Sequence, residues 1–101
     1  MRALIIGGEY LDTGVYHNVI SPGSGEVIDK VSIANERDIV RRAIDTAYEA
    51  FNSFSREPLI NRMKILRKAA DIMEESKEEL ARLLALEAGK PIRDARVEVL
   101  R

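Results

Sequence analysis

Few side chains in this sequence have the type and spacing that a reaction needs. The chain contains no cysteine and a single histidine, His17, which excludes a thiol nucleophile, a thiolate metal site and a multi-histidine metal site. His17 lies beside Asn18 in a stretch that predicts a strand, and nothing nearby supplies the oriented partner that a general base requires. We therefore interpret His17 as a half-exposed strand residue.

Two glycine motifs resemble phosphate-binding loops only in part. The segment 23–25 (Gly-Ser-Gly) begins like a dinucleotide fingerprint, but Ile28 stands where the third glycine belongs, and the segment lies between two predicted strands. Gly89 and Lys90 are followed by Pro91 and lack the upstream glycine of a phosphate loop. We predict a hairpin turn at the first motif, and a helix boundary with a solvated Lys90 at the second.

The charged clusters have structural explanations. Four acidic residues lie where one predicted helix ends and the next begins: Glu74, Glu75, Glu78 and Glu79. Helix capping and solvation explain them better than a catalytic pair of carboxylates does. Four basic residues share a helix face without interleaved aromatic residues, which favours a solvated face over a phosphate track: Arg62, Lys64, Arg67 and Lys68. Met63 and Met73 are predicted to be core residues. The sequence therefore predicts no catalytic, cofactor-binding or metal-binding residue.

The elements around these residues divide near Ala34. Residues 1–34 hold five of the six glycines, and their apolar residues are largely β-branched or aromatic, which favours strands and tight turns. Strands are predicted at 3–6, 9–11, 16–20 and 27–33, as two consecutive hairpins or a small meander, with turns at 7–8, 12–14 and 21–25. Residues 35–101 predict about four helices. The fold class predicted is α+β, with short antiparallel hairpins followed by helices.

The four predicted helices are marked by their boundary residues. In chain order these are Asn35 as a cap, Pro58 as a first helical residue, Ser76 with Glu79 as a capping box, Gly89 as a stop and Pro91 as a first helical residue.

Apolar residues recur at helical spacing in all four helices. They are Val40, Ala43, Ile44, Ala47, Phe51 and Phe54 in the first, Leu59, Met63, Leu66, Ala70 and Met73 in the second, Leu80, Leu83 and Leu84 in the third, and Ile92, Ala95, Val99 and Leu100 in the fourth. We expect the first three stripes to bury one another. The fourth pattern reaches Arg101 without a helix stop or a polar tail, which is typical of an interrupted element.

Composition narrows the class of protein. The 101 residues suit one small domain, a single unit over 1–101, and a net charge of −1 argues against nucleic acid as a partner. The longest apolar run, Ala3 to Ile6, is far shorter than a membrane span. These features predict a cytoplasmic chain with no membrane partner. The absence of Gln, Cys and Trp beside abundant Glu, Arg and Lys is typical of a protein from a hot environment.

Taken in order, five blocks of the sequence resemble the amino-terminal region of the aldehyde dehydrogenase superfamily. The blocks are 4–10 (LIIGGEY), 18–27 (NVISPGSGEV, with Ser21 in place of the usual asparagine), the alanine-rich helix 38–51, 62–66 (RMKIL) and 84–96 (LALEAGKPIRDAR), which is similar to the family's Leu-Glu-x-Gly-Lys-Pro signature. The resemblance extends over essentially all 101 residues. Within the family, the sequence is most similar in character to archaeal branches that act on lactaldehyde or glyceraldehyde phosphate.

The resemblance implies oxidation of an aldehyde to an acid, with hydride passing to NAD or NADP. The cysteine nucleophile, the glutamate base and the asparagine oxyanion donor of the family lie beyond the matched region, as do its cofactor-contacting segments. None of these roles can be assigned to a residue of this chain. We therefore expect the chain alone to be inactive and to bind no cofactor.

Three interpretations of the chain follow from the resemblance. It is a truncated member of the family, or one half of a split enzyme, or a non-enzymatic helical interaction module that kept the family's amino-terminal unit. The partners expected are a second copy of the chain or the missing remainder of the enzyme. Val99 and Leu100 are expected to lie in that contact.

Overall fold

The structure is a computed structural model that describes residues 1–101. Four strands precede four helices, in the α+β order that the sequence predicts. The elements are β1 (Leu4–Ile6), β2 (Glu9–Leu11), β3 (Tyr16–Ile20), β4 (Val27–Ser32), α1 (Arg37–Phe54), α2 (Leu59–Glu75), α3 (Lys77–Ala88) and α4 (Ile92–Val99). The strands form two small sheets, β1 with β2 and β3 with β4.

A two-residue turn joins β1 to β2. Ile6 pairs with Glu9 in antiparallel register, so Gly7 and Gly8 alone form the turn. Their φ angles are +60° and +81°, the left-handed values that a tight hairpin turn of this length requires. This confirms the predicted glycine turn.

The starts of three helices differ from the predictions. The residue before α1 is not the predicted cap, and α2 and α4 begin one residue later than predicted. Glu36, not Asn35, is the residue before α1, and it makes no side-chain capping bond. Pro58 and Pro91 precede α2 and α4 instead of opening them, with ψ angles of 142° and 136°. The proline ring restrains φ and leaves ψ extended, so proline also fits the position before a helix, where its carbonyl accepts the first helical hydrogen bonds.

The predicted capping box at Ser76 and Glu79 is wrong. Ser76 is the single residue between α2 and α3, and its side chain makes no capping bond. Its φ and ψ are −97° and 10°, whereas a capping serine needs an extended backbone. The Ser76 amide still donates to Ile72 and its carbonyl still accepts from Leu80, so the chain passes from one helix to the next with little interruption. By contrast, Gly89 is left-handed at φ +66° and ends α3 as predicted.

The expectation that the first three helices bury one another's stripes is also wrong. Neither α1 nor α2 contains a buried residue. The buried apolar residues of the whole chain are Ile6, Ala81 and Ala95.

The chain divides into two compact groups of residues. The first comprises residues 1–19 and 29–57, and in it the Arg2 amide donates to Lys30 (2.7 Å) and the Ser32 amide to Arg2 (2.8 Å). The second comprises residues 20–28 and 58–101, and in it Ala81 of α3 and Ala95 of α4 have no exposed surface. Small side chains at such positions allow two helices to approach closely. No helix in the structure is long and apolar enough to cross a lipid bilayer.

Candidate functional site

The chemistry-bearing residues of the sequence lie apart from one another. His17 is an exposed residue of β3. Residues 23–25 form the turn between β3 and β4, closed by the Gly25 amide donating to the Ser21 carbonyl (2.8 Å). No group of three or more His, Asp or Glu side chains is arranged to hold a metal ion.

Asp12 is the centre of the best-organised polar cluster. Its carboxylate accepts hydrogen bonds from the Gly14 amide (2.9 Å) and from the Tyr16 hydroxyl (2.8 and 3.0 Å to the two oxygens). These bonds, that of the Gly14 amide first, hold the pKa of Asp12 below its usual value. The Tyr16–Asp12 bond also raises the pKa of Tyr16. The cluster stabilises the turn that leads into β3, and both oxygens of the Asp12 carboxylate accept hydrogen bonds within it.

Asp29 forms ion pairs with the first two residues of the chain. The Met1 amine lies 2.6 Å from one carboxylate oxygen, and Arg2 Nε lies 3.2 Å from the other. The terminal amine is the first cause that lowers the pKa of Asp29, and the Lys30 amide (2.7 Å) adds to it. This ion cluster attaches residues 1–2 to β4.

An ion pair connects α3 to α4. Arg96 Nε and a terminal guanidinium nitrogen both bond the Glu78 carboxylate, at 3.0 to 3.2 Å. This two-pronged geometry lowers the pKa of Glu78 and raises that of Arg96. In sequence the partners are 18 residues apart, so no local spacing pattern could have revealed the pair. Lys90 is exposed, as predicted, and its amine pairs with the Glu98 carboxylate.

Two further expectations about α2 are corrected. Arg62 is half-buried and its Nε has no hydrogen-bond partner, so it does not belong to a solvated basic face. Met63 and Met73 are about half exposed and not in a core. Met73 lines a shallow groove of about 310 Å³, together with Ala70, Glu74, Val99, Leu100 and Arg101. The groove is open because α2 has few packing partners within the chain.

One face of α1 is strongly apolar and open to solvent. Its members recur at helical spacing, and we call them the aromatic face of α1: Val40, Ile44, Tyr48, Phe51 and Phe54. All are between 46% and 69% exposed. The sequence pattern identified four of these residues but assigned them to a core. Tyr48 was missed, although it lies four residues after Ile44 and three before Phe51.

Each polar cluster is held together by its own hydrogen bonds or ion pairs, which stabilise a turn, the amino terminus or a helix contact. None of the clusters combines a nucleophile with a base. A function for the chain must therefore be sought through its relatives. The sequence model of the family described as "Aldehyde dehydrogenase family" matches residues 11–101. The chain belongs to the aldehyde dehydrogenase family.

Curated aldehyde dehydrogenases match this chain over nearly its whole length. A malonate-semialdehyde dehydrogenase from Halalkalibacterium halodurans is 39% identical over 98 residues, which are 95% of this chain and 20% of that protein. A mitochondrial succinate-semialdehyde dehydrogenase from Arabidopsis thaliana is 40% identical over 99 residues, 94% of this chain and 18% of that protein. A lactaldehyde dehydrogenase from Methanocaldococcus jannaschii is 46% identical over 84 residues, 83% of this chain and 18% of that protein. The chain thus spans about a fifth of the length of the curated relatives it matches.

Solved aldehyde dehydrogenase structures contain the same arrangement of elements. An NAD-dependent aldehyde dehydrogenase from Sinorhizobium meliloti superposes with a TM-score of 0.92 at 34% identity, over 98% of this chain and 20% of that one. PnpE in complex with nicotinamide adenine dinucleotide gives 0.90 at 37% identity, over 98% and 21%. These matches confirm both the α+β fold and the resemblance to the amino-terminal region of the family.

Proposed function

We propose that this chain is the amino-terminal part of an NAD(P)-dependent aldehyde dehydrogenase, an enzyme that oxidises an aldehyde to a carboxylic acid. The observation that carries the proposal is the family match over residues 11–101. Superpositions at TM-scores of 0.90 and 0.92 support it. The chain's share of its relatives, about a fifth, supports a role as one piece of a larger enzyme.

Within this proposal, residues 1–101 are a single incomplete unit, with a strand part at 1–34 and a helical part at 35–101. The unit supports the cofactor domain and contacts neither aldehyde nor dinucleotide. It has no cysteine to act as the family's nucleophile. It also has no glycine-rich turn from a strand into a helix, the structure that binds a pyrophosphate.

We therefore expect the purified 101-residue chain to show no aldehyde-dependent reduction of NAD or NADP, measured as absorbance of the reduced nicotinamide. Calorimetry should detect no tight binding of either dinucleotide. Turnover by chain free of contaminating enzyme, or a micromolar dissociation constant for NAD or NADP, would contradict the proposed division of labour.

For the substrate we propose a small aldehyde with a second polar group. The support is chemical: the relatives are named for lactaldehyde, malonate semialdehyde and succinate semialdehyde, which carry a hydroxyl or a carboxylate close to the aldehyde. The 46% identity to the lactaldehyde enzyme supports the hydroxyaldehyde within this set. The partner is the remainder of the enzyme, in the cytoplasm, and the abundance of charged residues (33%) supports a hot environment.

The DNA beyond codon 101 separates the enzyme from a non-enzymatic interaction module. An in-frame or frameshifted continuation, or a neighbouring gene, that encodes the rest of the family with its cysteine motif is the expected result. The absence of any such coding sequence in the same genome would contradict the enzyme proposal and favour the module.

A further inference from the structure

The apolar stripe of α2 is open to solvent along its whole length. We call its members the α2 seam: Leu59, Met63, Leu66, Ala70 and Met73. All five are exposed, and the four larger side chains are between 50% and 71% exposed. A shallow groove of about 520 Å³ along the seam is lined by residues of α2 alone, so no other element of the chain forms a wall of it.

The spacing of the α2 seam is that of a coiled coil. Its successive members are four, three, four and three residues apart, which is the seven-residue repeat that keeps one stripe of a helix facing a partner helix. The groove along the seam shares Ala70 and Glu74 with the groove that Met73 and Leu100 line. The open surface therefore continues from Met63 as far as Leu100.

Two opposite charges border one edge of the seam. Arg67 and Glu74 are exposed, line the same groove and are seven residues apart. Side chains that contact each other on a helix surface are three or four residues apart, so this spacing does not pair Arg67 with Glu74 within one copy. In an antiparallel pair of α2 helices this edge faces the same edge of the other helix. A two-fold axis between the two positions then places each Arg67 opposite the partner copy's carboxylate.

The same charges disfavour a parallel pair. Arg62 borders the other edge of the seam, and parallel helices bring the two different edges together. Arg62 of one copy would then lie beside Arg67 of the other, and like charges at an interface repel. The charge pattern therefore favours the antiparallel arrangement.

We propose that the α2 seam is the surface through which two copies of this chain pair, with their α2 helices antiparallel about a two-fold axis between Arg67 and Glu74. The inference goes beyond the proposed function, because it concerns the chain on its own and involves no aldehyde chemistry. The helix is already formed in each copy, so pairing orders side chains and not backbone. The seam extends over little more than two heptads, and the expected dissociation constant is micromolar.

Charge exchange across the two-fold axis tests this inference. Sedimentation equilibrium measures the dissociation constant of the original chain, of Arg67→Glu, of Glu74→Arg and of the double variant that carries both substitutions. Lys68→Glu is the matched control, because Lys68 is exposed beside Arg67 but lines neither groove of the seam. Circular dichroism verifies that each variant keeps its helices.

We expect each single substitution at Arg67 or Glu74 to weaken the dimer at least about tenfold, since it replaces two attractive pairs by two repulsive ones. The double variant should restore the original dissociation constant, because it exchanges the two charges and keeps the net charge of −1. Lys68→Glu should leave the constant unchanged, although it alters the net charge as Arg67→Glu does.

A chain that remains monomeric at every accessible concentration would overturn the inference. Single substitutions without effect, or a loss that the double variant does not restore, would overturn it as well. Stronger association of Arg67→Glu alone would identify a parallel pair, and an equal loss in Lys68→Glu would identify an effect of net charge. Either result would also contradict the proposed interface.

Discussion

Asp12 accepts hydrogen bonds from the Gly14 amide and the Tyr16 hydroxyl, and these two bonds lower the pKa of its carboxyl group. The pKa of Asp12 is lower in the folded chain than in the unfolded chain. Its hydrogen bonds therefore contribute their full stabilisation at pH values above the ordinary pKa of 3.8. This stabilisation is lost as the pH falls through the folded pKa. The first turn into β3 therefore becomes sensitive to acid.

Tyr16→Phe should raise the pKa of Asp12 part of the way back towards its ordinary value. The recovery is partial because the Gly14 amide, the larger cause, remains. Carboxyl chemical shifts of Asp12, followed by NMR across the acidic range in which the carboxyl group titrates, measure the change. Tyr10→Phe is the matched control, since Tyr10 is 80% exposed and is not among the groups that lower this pKa. An Asp12 pKa that is the same in both variants would refute this account of the cluster.

Among the elements, the β1–β2 hairpin depends on its two glycines for different reasons. Gly7 and Gly8 both have positive φ, which strains any other residue by about 1 kcal/mol. At Gly7 alone, an added Cβ would also lie 2.9 Å from the Thr46 side chain of α1, whereas nothing lies within 4 Å at Gly8. Gly7 therefore also sets how closely the hairpin approaches α1.

Gly7→Ala should lower the free energy of unfolding more than Gly8→Ala does, because it adds a steric clash to the backbone strain. Thr46→Ser removes the methyl group that clashes, so it should recover part of the Gly7→Ala loss and none of the Gly8→Ala loss. Chemical denaturation of the single and double variants measures both differences. Additive effects of Gly7→Ala and Thr46→Ser would show that the close approach is absent in solution.

Sequence patterns predict the elements better than their packing. The boundaries of β2 and β3, the glycine turn and the end of α3 at Gly89 follow from local chemistry, namely positive φ and strand propensity. The absence of a cap at Ser76 could not be predicted, because it follows from a backbone that stays nearly helical there. The Glu78–Arg96 pair and the exposure of the α1 and α2 stripes depend on which elements meet in space, and apolar periodicity is the same for a stripe that is covered and for one that is not.

For the molecule as a whole, the exposed apolar surface determines how the isolated chain behaves. Leu100, 58% exposed, borders the groove beside Met73, and an open apolar surface of this kind promotes association. We expect sedimentation to show self-association of the isolated chain, which Leu100→Glu should reduce. Val97→Glu is the matched control, since Val97 is also an exposed aliphatic residue of α4 but does not line this groove. A monomer with a sharp melt that Leu100→Glu leaves unchanged would contradict this expectation.

A graft in which this chain replaces the matching segment of the Halalkalibacterium halodurans malonate-semialdehyde dehydrogenase tests the central claim most directly, because it asks whether these residues can serve as the amino-terminal part of an aldehyde dehydrogenase. The measurement is aldehyde-dependent reduction of NAD by the purified graft, beside the unmodified enzyme and a version that lacks the segment. We predict activity within about tenfold of the unmodified enzyme, a barrier change of about 1.4 kcal/mol or less, and none without the segment. A soluble, folded graft without activity would contradict the account.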